Sequence, residues 1–196
     1  MIKVYGVGGA RSRRVLWALE EVGVPYELVT VAFPPRLTQP GYLAINPTGA
    51  VPAITDGDLS MGESLAICEY VSRTYGGDLT VEPDHPDYYD YLQLLHYGEA
   101  TLAPPLGWLR RFASTPSAIT DGREMFAARL ALVEAMLADG RPYLVGDRLT
   151  LADISVGYTL GLAELFGAHD LVPPAVVAYE DRLKARPAFQ RAYAAS

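Results

Sequence analysis

The sequence predicts an α+β protein of two domains: strands and helices mixed over residues 1–77, then an all-helical bundle over residues 86–196. Three observations carry this expectation. Short β-branched runs at 2–5 and 26–31 bracket an amphipathic stretch at 12–22, the pattern of a β-α-β unit. Between Gly76 and Pro86 the composition turns to Gly, Asp, Glu and Pro, that of a linker. Beyond it, every apolar pattern repeats with the helical period. With 196 residues, 50% of them hydrophobic and 20% charged, the chain can bury a core without a disulfide or metal to staple it.

The elements follow in order. Residues 2–5 form a strand, and Gly6, Gly8 and Gly9 make a flexible turn. A helix over 12–22 sets Val15, Leu16, Leu19 and Val22 on one face and stops at Gly23. A second strand covers 26–31. A loop marked by Pro34, Pro35, Pro40 and Gly41 leads to a helical turn at 42–45. Strands at 51–55 and 59–61 flank Asp56, Gly57 and Asp58 as a hairpin. Ser64 opens a third helix that ends at Gly76 and Gly77. In the second half, Pro104 and Pro105 should kink or split a long pattern at 88–112. Residues 124–137 are amphipathic, 150–166 are apolar almost throughout and should be the buried centre, and 174–186 complete the set.

Charge and composition exclude several functions. Sixteen basic against 23 acidic residues give −7, and the longest basic cluster is Arg11, Arg13 and Arg14, so no phosphate-tracking surface for nucleic acid is expected. Lys3 is followed by three arginines within a helical pattern, without the apolar core or cleavage site of a signal peptide, so export is not expected and a cytoplasmic protein is. No apolar run approaches the roughly 20 residues that span a bilayer. Cys68 has no partner for a disulfide, and its place in a helical pattern makes it a small buried hydrophobe. His85, His96 and His169 are too scattered to hold a metal or form a triad.

The most informative stretch is Asn46, Pro47, Thr48, Gly49, Ala50, Val51, Pro52, then Asp56, Gly57, then Gly62, Glu63, Ser64. Pro52 at a strand start cannot donate to the ladder, so the Val51 backbone is left unpaired at an edge. A cis bond before Pro52 would turn that backbone outward, where an extended peptide can pair with it. Ser64 at a helix start offers a hydroxyl and free N–H groups to a carboxylate, and Glu63 beside it suits an ammonium. Together they describe a receptor for an α-amino acid terminus. Taken alone, the pair reads first as a helix cap and a solvated charge.

These residues resemble the glutathione site of cytosolic glutathione S-transferases, with its pattern N-P-x-G-x-V-P, D-G, E-S-x-A-I-x-x-Y, completed here by Ala66, Ile67 and Tyr70. The similarity covers nearly the whole chain. It takes in Arg14 to Gly23, and it takes in Tyr143 to Asp147 with Thr150 to Asp153, where Thr150 and Asp153 form a capping-box variant. Leu95 to Glu99 with Leu102, Pro104 and Pro105 resembles a bacterial and fungal branch of the family. The resemblance implies a thioredoxin-like first domain and glutathione as co-substrate. Val51 would pair with its cysteinyl part, Pro52 would be the family's cis-proline, and Glu63 and Ser64 would hold the γ-glutamyl end. The glycine end corresponds to Leu37 and Thr38, with Arg36 or Gln39 as substitutes.

The hydroxyl or thiol that several classes use to activate glutathione corresponds here to Gly9. Ser12 and Tyr5 are the remaining catalytic candidates, each with a plain alternative in helix capping or core packing, and Arg11 could add charge. The implied activity is detoxifying attack of the thiolate on a small hydrophobic electrophile, in a pocket that the helical domain would line with residues such as Tyr97, Trp108 and Phe112, in a homodimer. Glutathione-dependent disulfide reduction and a non-catalytic interaction module stay open beside it.

Overall fold

The computed structural model describes residues 1–32 and 34–195, and of Arg36 the backbone only. Val4 and Ile2 fill the centre of strand β1 (Ile2–Gly6), which runs parallel to β2 (Tyr26–Thr30) through the crossover helix α1 (Ser12–Val22). On the other side of β1 lies β3 (Ala53–Asp56), antiparallel to it, and β4 (Leu59–Gly62) returns from the Gly57 turn antiparallel to β3. The order is β2-β1-β3-β4, a thioredoxin-like mixed sheet. β3 starts two residues later than the sequence pattern suggests, because Pro52 has no N–H to give the ladder.

Helices α2 (Pro35–Thr38) and α3 (Tyr42–Ile45) are single turns between β2 and β3, and α2 lies in the segment expected to be loop. Pro35 at its first position accounts for that turn, since its fixed φ suits a helix start. Helix α4 (Ser64–Tyr75) buries Ile67, Cys68 and Val71 and packs with α1, whose buried face includes Val15, Leu16 and Leu19.

A further helix, α10 (Pro187–Ala194), was not expected from the sequence pattern. It belongs by packing with the first unit, which comprises Met1–Thr80 and Arg186–Ser196. Phe189 stands edge-on to Trp17 at 4.9 Å and stacks on Tyr193, while Arg186 grips the Glu21 carboxylate through Nε and Nη2 at 2.6 and 2.7 Å. Arg191 meets Glu20 at 2.6 Å. These contacts seat an eight-residue helix too short to announce itself by periodicity.

The second unit, Val81–Ala185, is helical. It holds α5 (Tyr88–Tyr97), a π-helical turn at Gly98–Leu102, α6 (Ala103–Arg111), α7 (Pro116–Met136), α8 (Leu151–Leu165) and α9 (Pro174–Lys184). The expected break at Pro104 and Pro105 is resolved differently. The prolines occupy the first turn of α6, and the chain widens to π geometry just before them. Pro105 cannot donate to the Thr101 carbonyl, and Arg129 Nη1 donates to it instead at 2.6 Å. Helix α7 begins earlier than the amphipathic stretch, at Pro116.

Helix α8 is the buried centre, and it is tied to α5 by polar contacts. Ser155 donates to the Leu95 carbonyl at 2.8 Å, and Thr159 to the Gly98 carbonyl at 2.9 Å. Thr150 and Asp153 form the capping box. The Asp153 carboxylate, fully buried, accepts from Leu144 N, Thr150 N, Thr150 Oγ1 and Tyr179 Oη at 2.8–3.0 Å. Burial pushes its pKa up, and those donors oppose the push.

Two stability predictions follow from this unit. Asp153→Asn must turn an –NH2 toward existing donors and should cost about 3 kcal/mol in denaturant unfolding. A Cβ on Gly98 would lie 2.4 Å from Ser155 Oγ and 2.7 Å from its backbone carbon, so Gly98→Ala should cost about 1–3 kcal/mol by overpacking.

Candidate functional site

The register of the sheet fixes where the site is. Val29, Tyr5, Ala53 and Gly62 form one row across the four strands. β1 leaves this row toward Gly6 and α1. β3 enters it from Val51 and Pro52, and β4 leaves it toward Glu63 and Ser64. The residues singled out from the sequence therefore gather at the carboxyl end of β1, the end at which open α/β sheets carry their ligand sites.

Pro52 is buried and its bond to Val51 is cis. Among the described residues, neither the Val51 N–H nor its carbonyl has a hydrogen-bond partner. The loop before it is held from beneath by Asn46, which is 6% exposed. Asn46 Nδ2 donates to the Ala50 carbonyl at 2.9 Å, and its Oδ1 accepts from the Thr48 amide and hydroxyl at 3.2 and 2.9 Å. Tyr42 Oη also donates to Ala50 O, at 2.7 Å. Sequence reasoning placed Asn46 in the motif without this role. An Asn that precedes Pro-x-Gly and can accept from the amide two residues on is the available signal.

Glu63 has φ 66° and ψ 104°, and it is the one non-glycine residue with positive φ among the described residues. Such a conformation costs on the order of 1–3 kcal/mol and concentrates at functional sites. Its side chain is exposed, whereas Ser64, the first residue of α4, is 6% exposed. The amides of Ser64, Leu65 and Ala66 precede the first intrahelical bond, Ile67 N to Glu63 O, and the first turn carries no acidic residue. An anion therefore finds both free donors and the positive helix end here. Behind Ser64 lies Arg14 of α1, fully buried, with Nη1 3.5 Å from Ser64 Oγ. The sequence reading passed over Arg14 as one of three arginines, although the helical period sets it one turn before buried Ala18.

The catalytic candidates occupy different environments. Ser12 is 1% exposed, and its hydroxyl donates to the Val7 carbonyl at 2.9 Å, bracing the turn between β1 and α1. Gly6 allows that approach, since a Cβ there would lie 2.7 Å from Ser12 Cβ. Gly9 has φ 75°, so the position that by the resemblance corresponds to a serine or cysteine in several classes has a backbone that side chains rarely adopt. Tyr5 is half-buried in the row described above and meets Tyr42 edge-on at 6.1 Å. Thr38 spends its hydroxyl on Ala32 O at 2.7 Å, Leu37 and Arg11 are exposed, Gln39 is half-buried, and the Arg36 side chain lies outside the described residues.

Two other motif residues are structural. Asp56 accepts from Tyr70 Oη at 2.8 Å and from Tyr75 Oη, which binds α4 to the hairpin and holds the carboxyl below its usual pKa. Cys68 is buried, and burial raises its thiol pKa to about 12, leaving it neutral and inert. Within the second unit, Trp108 and Phe112 are 43% and 39% exposed and stand edge-on at 6.4 Å, while Tyr97 Oη donates to Arg129 O at 2.7 Å.

Comparison with known proteins gives the family of the chain. Residues 5–79 match the family model described as glutathione S-transferase, N-terminal domain, and residues 116–195 match its C-terminal domain. Glutathione S-transferase F9 of Arabidopsis thaliana is 33% identical, over 99% of this chain and 97% of that protein. A crystal structure of a glutathione transferase from Methylococcus capsulatus superposes with a TM-score of 0.88 at 28% identity, over 100% and 98% of the two chains. The transferase URE2P8 from Phanerochaete chrysosporium, solved with oxidized glutathione, gives 0.87 at 25%, over 99% and 94%. Plant, bacterial and fungal relatives all align with nearly the whole chain and do not single out a branch. By both domain models and by relatives that match along its length, the chain belongs to the glutathione S-transferase family.

Proposed function

We propose that the chain binds glutathione at the carboxyl end of β1 and transfers its thiolate to a hydrophobic electrophile. The observation that carries this reading is the unpaired Val51 backbone brought to the same sheet end as the Ser64 helix start. The Val51 N–H and carbonyl would pair with the cysteinyl main chain, and the buried ring of Pro52 would hold that edge in place. The γ-glutamyl carboxylate would take the Ser64 hydroxyl and the free α4 amides, and Glu63 the ammonium. The relatives solved with oxidized glutathione support this choice of co-substrate.

Chemistry then requires a thiolate. A free thiol titrates near pH 8.5, and each unit of lowering represents about 1.4 kcal/mol of preference for the anion. Tyr5 and Ser12 are the hydroxyls proposed for that task. Ser12 must first turn its proton from Val7, whereas the Tyr5 hydroxyl has no hydrogen-bond partner among the described residues. The sulfur lone pair forms the new C–S bond, and the acceptor's displaced electrons leave with its leaving group or move into its π system. The aromatic pair Trp108 and Phe112 is proposed to contribute to the acceptor pocket, and a cytoplasmic homodimer completes the reading. No helix among the described residues is long and apolar enough to cross a membrane.

Calorimetric titration with glutathione tests binding directly, and absence of heat across several temperatures would remove the proposal. Ser64→Ala should weaken binding by about 1.5–3 kcal/mol, the range for a hydrogen bond to a charged group. Glu63→Gln should weaken it through the ammonium, and a glutathione analogue without that amine should be insensitive to the change. Spectroscopic titration of the bound thiol separates the two hydroxyls: the variant of Tyr5→Phe or Ser12→Ala that removes the thiolate donor should raise the bound pKa by about one unit or more, and the other should leave it in place.

A further inference from the structure

We infer that Arg14 is a positioning residue for the γ-glutamyl carboxylate, holding the Ser64 hydroxyl with its proton toward the ligand and setting a permanent positive charge behind the α4 start; this rests on the glutathione reading above.

The first support is the position itself. Arg14 is 0% exposed, on the face of α1 that buries Val15, Ala18 and Leu19. Burying a guanidinium costs several kcal/mol even after relaxation, and an aliphatic side chain would pack two helices without that cost.

The second support is the direction of the hydrogen bond. A guanidinium has donors and no acceptor, so at the Nη1 to Ser64 Oγ contact of 3.5 Å the serine must accept. Its own proton then points away from Arg14, and among the described residues it has no acceptor. Ser64 is thereby set as a donor, the role a carboxylate needs. A residue able to accept at position 14 would compete for that proton.

The third support is electrostatic. Ser64 and Cys68 lie one turn apart on the α4 face that takes Arg14, and the Arg14 charge acts on both. Burial keeps the Cys68 thiol neutral, so that group does not cancel the charge. The guanidinium carries a delocalised positive charge. Its field adds to that of the free amides of Ser64, Leu65 and Ala66, and both favour an anion in front of Ser64.

The test compares two ligands on the parent, Arg14→Met and Arg14→Lys. One ligand is glutathione; the other is 4-aminobutyryl-cysteinyl-glycine, which lacks only the α-carboxylate of the γ-glutamyl group. Arg14→Met should bind glutathione about 10–100-fold more weakly while binding the decarboxylated analogue as the parent does, and Arg14→Lys should recover much of the loss. A variant that is merely less well packed would lose both ligands by the same factor. Should the methionine variant not fold, Arg14→Gln gives the same comparison with a polar side chain that adds a competing acceptor. Equal losses for the two ligands, or undiminished glutathione binding, overturn the inference alone. A parent that binds neither ligand overturns the glutathione reading and this inference with it.

Discussion

The site depends on one constraint, the antiparallel entry of β3 beside β1. Because β1 runs toward α1 and β3 runs against it, the start of β3 must lie where β1 ends. The tight return through Gly57 then sends the end of β4 back to the same place. Had β3 paired in parallel, its first residues would lie at the far end of the sheet, and Val51 could not share a site with Ser64. The candidate site residues are thus gathered by strand direction, before any side chain acts.

Once gathered, they are held by residues that would not touch a ligand. Asn46 and Tyr42 both converge on the Ala50 carbonyl, so the loop into Val51 is fixed from two directions. Ser12 ties Val7 at the start of α1. Asp56 ties the hairpin to α4 through Tyr70 and Tyr75. These braces are what can sustain the strained backbone of Glu63, since a costly φ persists only where its surroundings over-determine it. Rigidity here also favours binding, because a ligand ordering a preformed edge pays less entropy than one that must first fix a loop.

How much of this was legible in the sequence depends on the range of the interactions involved. The β-α-β unit, the hairpin and the α8 capping box depend on residues within a few positions of one another, and local patterns express them. The π turn at Gly98–Leu102 was not legible, because Arg129, Ser155 and Thr159 make it tenable from other helices. Helix α10 escaped for the same reason: Phe189, Arg186 and Arg191 find their partners on α1, far away in sequence. At the candidate site, motif spacing pointed to Val51, Pro52, Glu63 and Ser64, which the fold brings to one end of the sheet. It was silent on the direction of hydrogen bonds, so the engagement of Ser12 with Val7 and the reach of Arg14 to Ser64 required coordinates.

Asp153 and Arg14, the two charged residues with no exposure among the described residues, contrast a structural with a proposed functional use of buried polarity. Both are 0% exposed and both lie on helices with apolar neighbours. Asp153 draws its hydrogen bonds from the folded chain itself, with Leu144, Thr150 and Tyr179 supplying every donor that the carboxylate shows. That network closes on itself: it starts α8, holds the segment before it and ties α9 to both. Arg14 reaches Ser64, a hydroxyl whose proton meets no acceptor among the described residues. An unspent donor at a helix start whose first turn has free amides and no acidic residue is suited to an anion from outside. The difference between a brace and a binding group at the same burial is therefore where the last hydrogen bond goes.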